Sequence, residues 1–215
     1  MYRQHSPEAR SFRKRSRFDK HFARFKPKIS DSYAIILDFL PNGYPFDSRP
    51  LHKKTPIAQA ITTENFLLVE LIPKRDVFLQ PQEKVSIKQL ENDKISRIGN
   101  ILTIDKLTQT ARAELEHAIK NIVRDKQKEF VEFFNKAGPL TTRMHSLELL
   151  PGIGKRYMWD IIRQREEKLF ESFEDLKQRV KLPLEIETII AQRIVKELEG
   201  NEKHYLFIRP KTSKR

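Results

Sequence analysis

Residues Pro151-Gly152-Ile153-Gly154 follow a leucine-rich L-E-L-L at 147–150 and run straight into Lys155-Arg156 and the amphipathic stretch Y-M-W-D-I-I-R-Q-R. A helix, a glycine-bearing turn and a basic helix in that order read as a helix-hairpin-helix. Gly152 and Gly154 permit a tight turn and close approach of the backbone to another molecule. The amides of residues 152–156 fall at the start of the second helix. Amides there lack intrahelical acceptors, and the helix dipole adds to their attraction for an anion. A phosphate suits such a place. Ile153 is expected to plug between the two helices and stiffen the hairpin. Lys155 and Arg156 flank the site and can add charge-assisted contacts. Arg163 reads either as an outer phosphate contact or as solvated charge, as do Arg165 and Lys168. No base edge is read in this mode, which positions a nucleic-acid backbone with little sequence preference. The same unit also serves as packing or as a protein-binding module, so the motif is stronger evidence for fold than for binding.

A second, degenerate copy follows. S-F-E-D-L-K-Q-R-V-K-L-P-L-E-I-E-T-I-I repeats the layout of S-L-E-L-L-P-G-I-G-K-R-Y-M-W-D-I-I, but its turn at Lys181-Leu182-Pro183-Leu184 has no glycine. It is expected to pack against the first copy and not to cradle phosphate. Tyr157 and Trp159 could each stack on a base, although a single Trp in a small helical domain is commonly core.

Other chemistry finds little support. The chain has no cysteine, which excludes disulfides, thiolate metal sites and thiol catalysis. None of the six histidines (His5, His21, His52, His117, His145 and His204) has a metal-ligand spacing to another. Asp38, Asp47 and Asp76 are scattered. Glu166/Glu167 and Glu171/Glu174 read as solvated faces. No phosphate-cradling glycine signature of nucleotide enzymes is present. The expectation is a non-catalytic protein with no cofactor and no metal. No apolar run is long enough to span a bilayer, and the basic N-terminus lacks the apolar core of a secretory signal, so a cytoplasmic location is expected.

The net charge is +13 over 215 residues, and its distribution is uneven. Residues 1–30 hold 10 Lys/Arg against 2 Asp/Glu, and residues 201–215 hold 5 against 1. Residues 31–105 are nearly neutral, with 9 against 10, as are residues 106–200, with 18 against 16. The excess therefore lies in two basic ends, which supply non-specific, salt-sensitive attraction to phosphate. The first arm interleaves Phe12, Phe18, Phe22 and Phe25 with basic residues. It reads as disordered until it folds on RNA or a partner, or as a plain solvated tail.

The elements that must position the hairpin divide in two. Residues 31–105 alternate short apolar runs with turn signals: Tyr33–Leu40, Ile57–Ile61, Phe66–Ile72, Lys84–Lys88 and Ile98–Ile104. Such a series suits a small barrel or curled sheet. Leu107–Phe134 predicts one long helix with an apolar stripe, ended by Gly138-Pro139, its Phe-rich end packed against the next domain. Residues 140–200 read as helices throughout. Thr141 and Thr142 would cap a short helix ending at Leu149-Leu150. Ser172 and Asp175 approximate a capping box. A last helix over Leu184–Leu198 ends at Gly200. Tyr205–Arg209 (Y-L-F-I-R) predicts a final strand that returns to close the edge of the sheet, leaving the two domains as one rigid body.

The whole organisation from Tyr33 to Pro210 resembles the archaeal family of unknown function 655 (DUF655). The resemblance rests on Y-A-I-I-L-D-F-L-P-N-G at 33–43, P-I-A-Q-A-I at 56–61, L-V-E-L-I-P-K at 68–74 and E-F-V-E-F-F-N-K-A at 129–137. It continues in P-L-T-T-R-M-H-S-L-E-L-L-P-G-I-G-K at 139–155, F-E-S-F-E-D-L at 170–176 and Y-L-F-I-R-P at 205–210. The basic arm lies outside it, and Glu91-Asn92-Asp93-Lys94 departs from the family's glycine- and arginine-rich turn. The resemblance implies an OB-like barrel joined to a tandem helix-hairpin-helix domain, and binding of RNA or another nucleic acid. Family genes near those for a ribosomal protein and an rRNA dimethyladenosine methyltransferase imply translation or ribosome biogenesis. By position in the motif, Arg143 and His145, with Thr141 and Thr142, become accessory contacts.

The expected architecture is thus α+β. A basic arm spans 1–30, an OB-like barrel 31–105, a long connecting helix 106–138, a tandem helix-hairpin-helix domain 139–200, and a returning strand with basic tail 201–215. The expected nucleic-acid-binding residues are Gly152, Ile153, Gly154, Lys155, Arg156, Arg143, His145 and Arg163. The expected partner is RNA, structured or ribosomal. Three alternatives stay open: a DNA-binding repair or replication factor, a ribosomal or other protein partner beside the nucleic acid, and a protein scaffold that binds no nucleic acid. The sequence leaves the oligomeric state open.

Overall fold

The computed structural model describes residues 29–46, 50, 54–88 and 94–208. The Phe-rich arm, the turn at 91–93 and the C-terminal basic tail lie outside the described residues. Five strands, β1 (Tyr33–Leu40), β2 (Ile57–Thr62), β3 (Leu68–Pro73), β4 (Lys84–Ser86) and β5 (Ile95–Ile101), form one antiparallel sheet in the order β4-β1-β2-β3-β5. The sheet curls into a half-barrel that packs against several helices. Register shifts between Ile36 and Asp38, Val69 and Leu71, and Ile72 and Pro73 bend the strands and tighten that curl.

Both faces of the sheet are apolar. Ala34, Ile36, Ala60, Val69 and Val85 are buried on one face. Ile35, Leu37, Ile61 and Leu68 on the other join the core shared with the helices. The first helix, α1 (Gln109–Asp125), supplies that core with Ala111, Leu115, Ala118, Ile119, Ile122 and Val123. Thr108 fixes its start: the hydroxyl accepts from the Ala111 amide at 3.0 Å and donates to Asp38 Oδ2 at 2.6 Å. Buried Gln59 adds a second tie, accepting from the Thr108 amide at 2.9 Å. The sheet thereby sets where the helical half begins.

The single long helix expected over 107–134 is two. α1 ends at Lys126 (φ −103°, ψ 25°), and α2 (Gln127–Lys136) continues with Phe130, Val131 and Phe134 buried. The apolar stripe runs through the break, which is why periodicity alone did not reveal it. The short helix expected under a Thr141/Thr142 cap is also different. Pro139–Thr141 (β6) and Met144–His145 (β7) form a small β-hairpin, and a 3-10 turn follows at Ser146–Leu149. Then come α3 (Lys155–Glu167), α4 (Phe173–Arg179) and α5 (Ile186–Glu199). Ser172 caps α4, accepting from the Asp175 amide at 3.0 Å. Gly200 ends α5 in the left-handed region (φ +79°).

The returning strand is a correction. Residues 205–208 are not in the sheet, whose described edges are β4 and β5. Their amides go to a carboxylate instead: Glu197 of α5 accepts from Leu206, Phe207 and Ile208 at 2.7, 3.0 and 2.9 Å. Phe207 packs edge-on to Phe130 and Phe133, with ring centroids 5.4 and 5.0 Å apart. Glu197 is itself paired with Arg193 at 2.8 Å, and both are buried. Arg193 also reaches Glu202 at 2.9 Å, the His204 carbonyl, and the Leu149 carbonyl at 3.4 Å.

Candidate functional site

The turn after the 3-10 segment is closed by Leu150 and Ile153. The Leu150 amide donates to Leu147 and the Ile153 amide to Leu150, each at 3.1 Å. Ile153 is buried, as the plug reading expects, and such burial stabilises by about 1.5–3 kcal/mol. The two glycines differ in role. Gly152 sits at φ +80°, where a side chain is strained. A Cβ there would stand 3.4 Å from Pro183 Cγ and 3.8 Å from Leu184 Cδ1. Pro183 and Leu184 therefore back the turn at Gly152. Gly154 has φ −87° and ψ −178°, extended backbone open to any residue, and a Cβ there would meet nothing within 4 Å. Only Gly152 is needed for the turn; Gly154 leaves the backbone bare toward solvent.

Of the amides expected to be open at 152–156, that of Ile153 is not. Ile153 spends its N–H inside the turn. The first bond of α3 runs from Met158 to the Gly154 carbonyl at 3.0 Å, and no side chain caps its start. Among the described residues, the N–H groups of Gly154, Lys155, Arg156 and Tyr157 meet no acceptor. The first turn of α3 carries Lys155 and Arg156 and no acid. Cations at that end oppose the helix dipole, each by about 0.3–1 kcal/mol. The second copy is the reverse. Glu185 is the N-cap residue of α5 and Glu187 stands in its first turn, with Lys177 bonded to both Glu185 oxygens at 2.8 and 2.9 Å. One helix start holds its own carboxylates; the other is left positive.

The accessory residues are unequal. Arg143 is exposed at the tip between β6 and β7. Arg163 is exposed on α3 and pairs with Asp160 at 3.0 Å. Arg165 is half-buried and donates to the Phe134 carbonyl at 2.8 Å. Lys168 pairs with Glu171 at 2.9 Å. Trp159 is not core but 63% exposed, since Met158 and Ile161 take the buried face of α3.

His145 has a structural task. Its Nδ1 accepts from the Leu147 amide at 3.2 Å, while Glu148 accepts from the His145 amide at 2.9 Å, closing a capping box. Burial first, then Arg165, holds the imidazole below its ordinary pKa against the opposing pull of Glu148. The folded state thus favours the neutral ring that can accept this bond. This contribution is fully present above the ordinary histidine value of about 6.5 and is lost as pH falls through the lower folded value. Urea denaturation at stepped pH is expected to show a loss of stability across that range. His145→Asn, which keeps a capping side chain, should remove that component.

Among the described residues, no group of three or more His, Asp or Glu side chains could hold a metal ion. No helix among them is long and apolar enough to cross a membrane.

The family model described as protein of unknown function (DUF655) matches residues 30–209. The chain belongs to the DUF655 family. It is 43% identical over 198 residues to the uncharacterized protein MJ0038 of Methanocaldococcus jannaschii, covering 91% of this chain and 86% of that protein. The crystal structure of Af1531 from Archaeoglobus fulgidus, a DUF655 protein, superposes with a TM-score of 0.79 at 40% identity, covering 83% of this chain and all of that one. The DUF655 match takes in the curled sheet, the bare helix start at 154–157 and the Glu197 clamp in one span. Sequence reasoning missed two pairings, one around Glu148 and one between Arg193 and Glu197. Glu148 stands three residues after His145, a capping-box spacing with His in place of Ser or Thr. Arg193 and Glu197 stand at i and i+4 on α5, a spacing that reads as a solvated pair until its burial is seen.

Proposed function

We propose that this protein is a non-catalytic RNA-binding protein that grips one phosphate of the backbone through the amides of residues 154–157. In this reading the half-barrel is an OB-like module, and residues 139–200 are a tandem helix-hairpin-helix with one working hairpin. The observation that carries it is the start of α3. Four amides there lack acceptors among the described residues, two cations and no acid occupy the first turn, and Gly154 leaves the approach open. An anion relieves the unfavourable charge and fills the open amides together. Lys155 and Arg156 close around it, with Arg143 and Arg163 as outer contacts. The basic ends add attraction that depends on salt. A place in translation or ribosome biogenesis carries over from the family resemblance.

Gly154→Asp tests this reading. Aspartate suits an N-cap and finds open space, so stability should hold or rise by a few tenths of a kcal/mol. Its carboxylate would take the amides and repel phosphate. RNA affinity, measured by fluorescence anisotropy at fixed salt, is expected to fall about ten- to a hundredfold, the worth of a lost charge-assisted contact. Unchanged affinity in the folded variant would overturn the hairpin's role.

A further inference from the structure

We propose that Trp159 is a stacking platform for an unpaired RNA base next to the phosphate held by the hairpin, so that the site takes a single-stranded segment in preference to continuous duplex. The inference rests on the hairpin reading above.

Trp159 is 63% exposed, and among the described residues no ring or cation packs on it. It lies in a stripe with Lys155 and Arg163, one helical turn to either side. Both neighbouring arginines are held elsewhere. Arg163 is tied to Asp160 at 3.0 Å, and Arg156 lies over the Tyr157 ring at 5.7 Å. No guanidinium covers the indole, which is exposed on a helix whose first turn is basic and which carries Arg163 one turn beyond. A partner that matches an open aromatic face between cations is itself planar, stackable and anionic. A nucleotide has that chemistry.

The position fits the same strand. Trp159 lies about 6 Å along the helix axis from Lys155, within the span of one nucleotide. A base can reach an aromatic ring face only when it is unpaired and unstacked from its neighbours. Folded RNA presents such bases in loops and bulges, whereas duplex DNA does not, which favours RNA as the occupant.

Trp159 is the sole tryptophan of the chain, so its fluorescence reads the contact directly. The full-length protein is titrated with a single-stranded RNA oligonucleotide, with the same strand annealed to its complement, and with a DNA strand of the same sequence. Quenching on binding the single-stranded RNA is expected. In Trp159→Ala, the ratio of single-strand to duplex affinity should fall about five- to a hundredfold, with Trp159→Phe between the two. Binding of single-stranded RNA without quenching, or an unchanged ratio in Trp159→Ala, would overturn the platform while leaving the hairpin reading standing. Tighter binding of the DNA strand would overturn the assignment to RNA. Gly154→Asp separates the two readings. If it leaves affinity intact while quenching persists, the hairpin role fails and with it the placement of the base beside a held phosphate, while stacking on Trp159 itself remains.

Discussion

Replacing Arg193 with alanine is expected to lower the free energy of unfolding by about 3–5 kcal/mol, the usual cost of stranding one member of a buried ion pair. The guanidinium holds Glu197, Glu202 and the carbonyls of Leu149 and His204, and its removal leaves Glu197 buried without its cation. Buried ion pairs can often be exchanged for apolar residues of similar volume. That exchange should fail here. Glu197 accepts three consecutive amides, so Arg193→Met with Glu197→Leu would orphan those amides or release residues 206–208. The double variant is expected to be no more stable than the worse single one. Chemical denaturation monitored by circular dichroism measures all three, and a double variant as stable as the parent would refute the clamp.

Phe134→Ala is expected to cost about as much, near 3–5 kcal/mol, because a fully buried phenylalanine leaves both lost transfer energy and a cavity. Phe134 is wholly buried in the core that joins the sheet face to the helices, and its ring meets Phe133 edge-on at 5.7 Å. Its neighbours cannot easily collapse on the gap. Arg165 of α3 is fixed to the Phe134 carbonyl at 2.8 Å, and Asn135 is bonded to Phe170 through both its amide nitrogen and oxygen, each at 2.9 Å. Domains of this kind have only about 5–15 kcal/mol in total, so a large share is removed. The change should shift the denaturation midpoint with little change in slope, while Phe134→Leu recovers most of the loss.

The sheet was legible because strand signals are local. Y-A-I-I-L-D-F-L and L-V-E-L-I-P stand between turn residues, and all five strands fall within a few positions of where alternation puts them. The bulge near Ile36 was not legible, since an apolar run looks the same with or without an extra residue. The misread C-terminal segment has a different cause. Y-L-F-I-R has strand composition, but the fate of its amides is set by Glu197, a residue on another element. The signal for Trp159 was present: Met158, Ile161 and Ile162 define the apolar stripe of α3, and Trp159 lies off it. The turn at 151–154 was legible from its glycines, but only dihedral angles separate Gly152, which the turn needs, from Gly154, which it does not.

The Glu197 clamp bears on the order in which the protein can be made. The sheet is built from residues 33–101 and has all its strands early in synthesis, when N-terminal units begin to fold. The helical half is different. Its Phe130 and Phe133 edges are covered only when Phe207 arrives, and Arg193 and Glu197 gain their remaining partners only with residues 202–208. A nascent chain paused after Gly200 has every described helix in sequence and a Glu197 carboxylate paired with Arg193 alone. The cover over the aromatic edge of the helical half is thus the last of the described structure to be made.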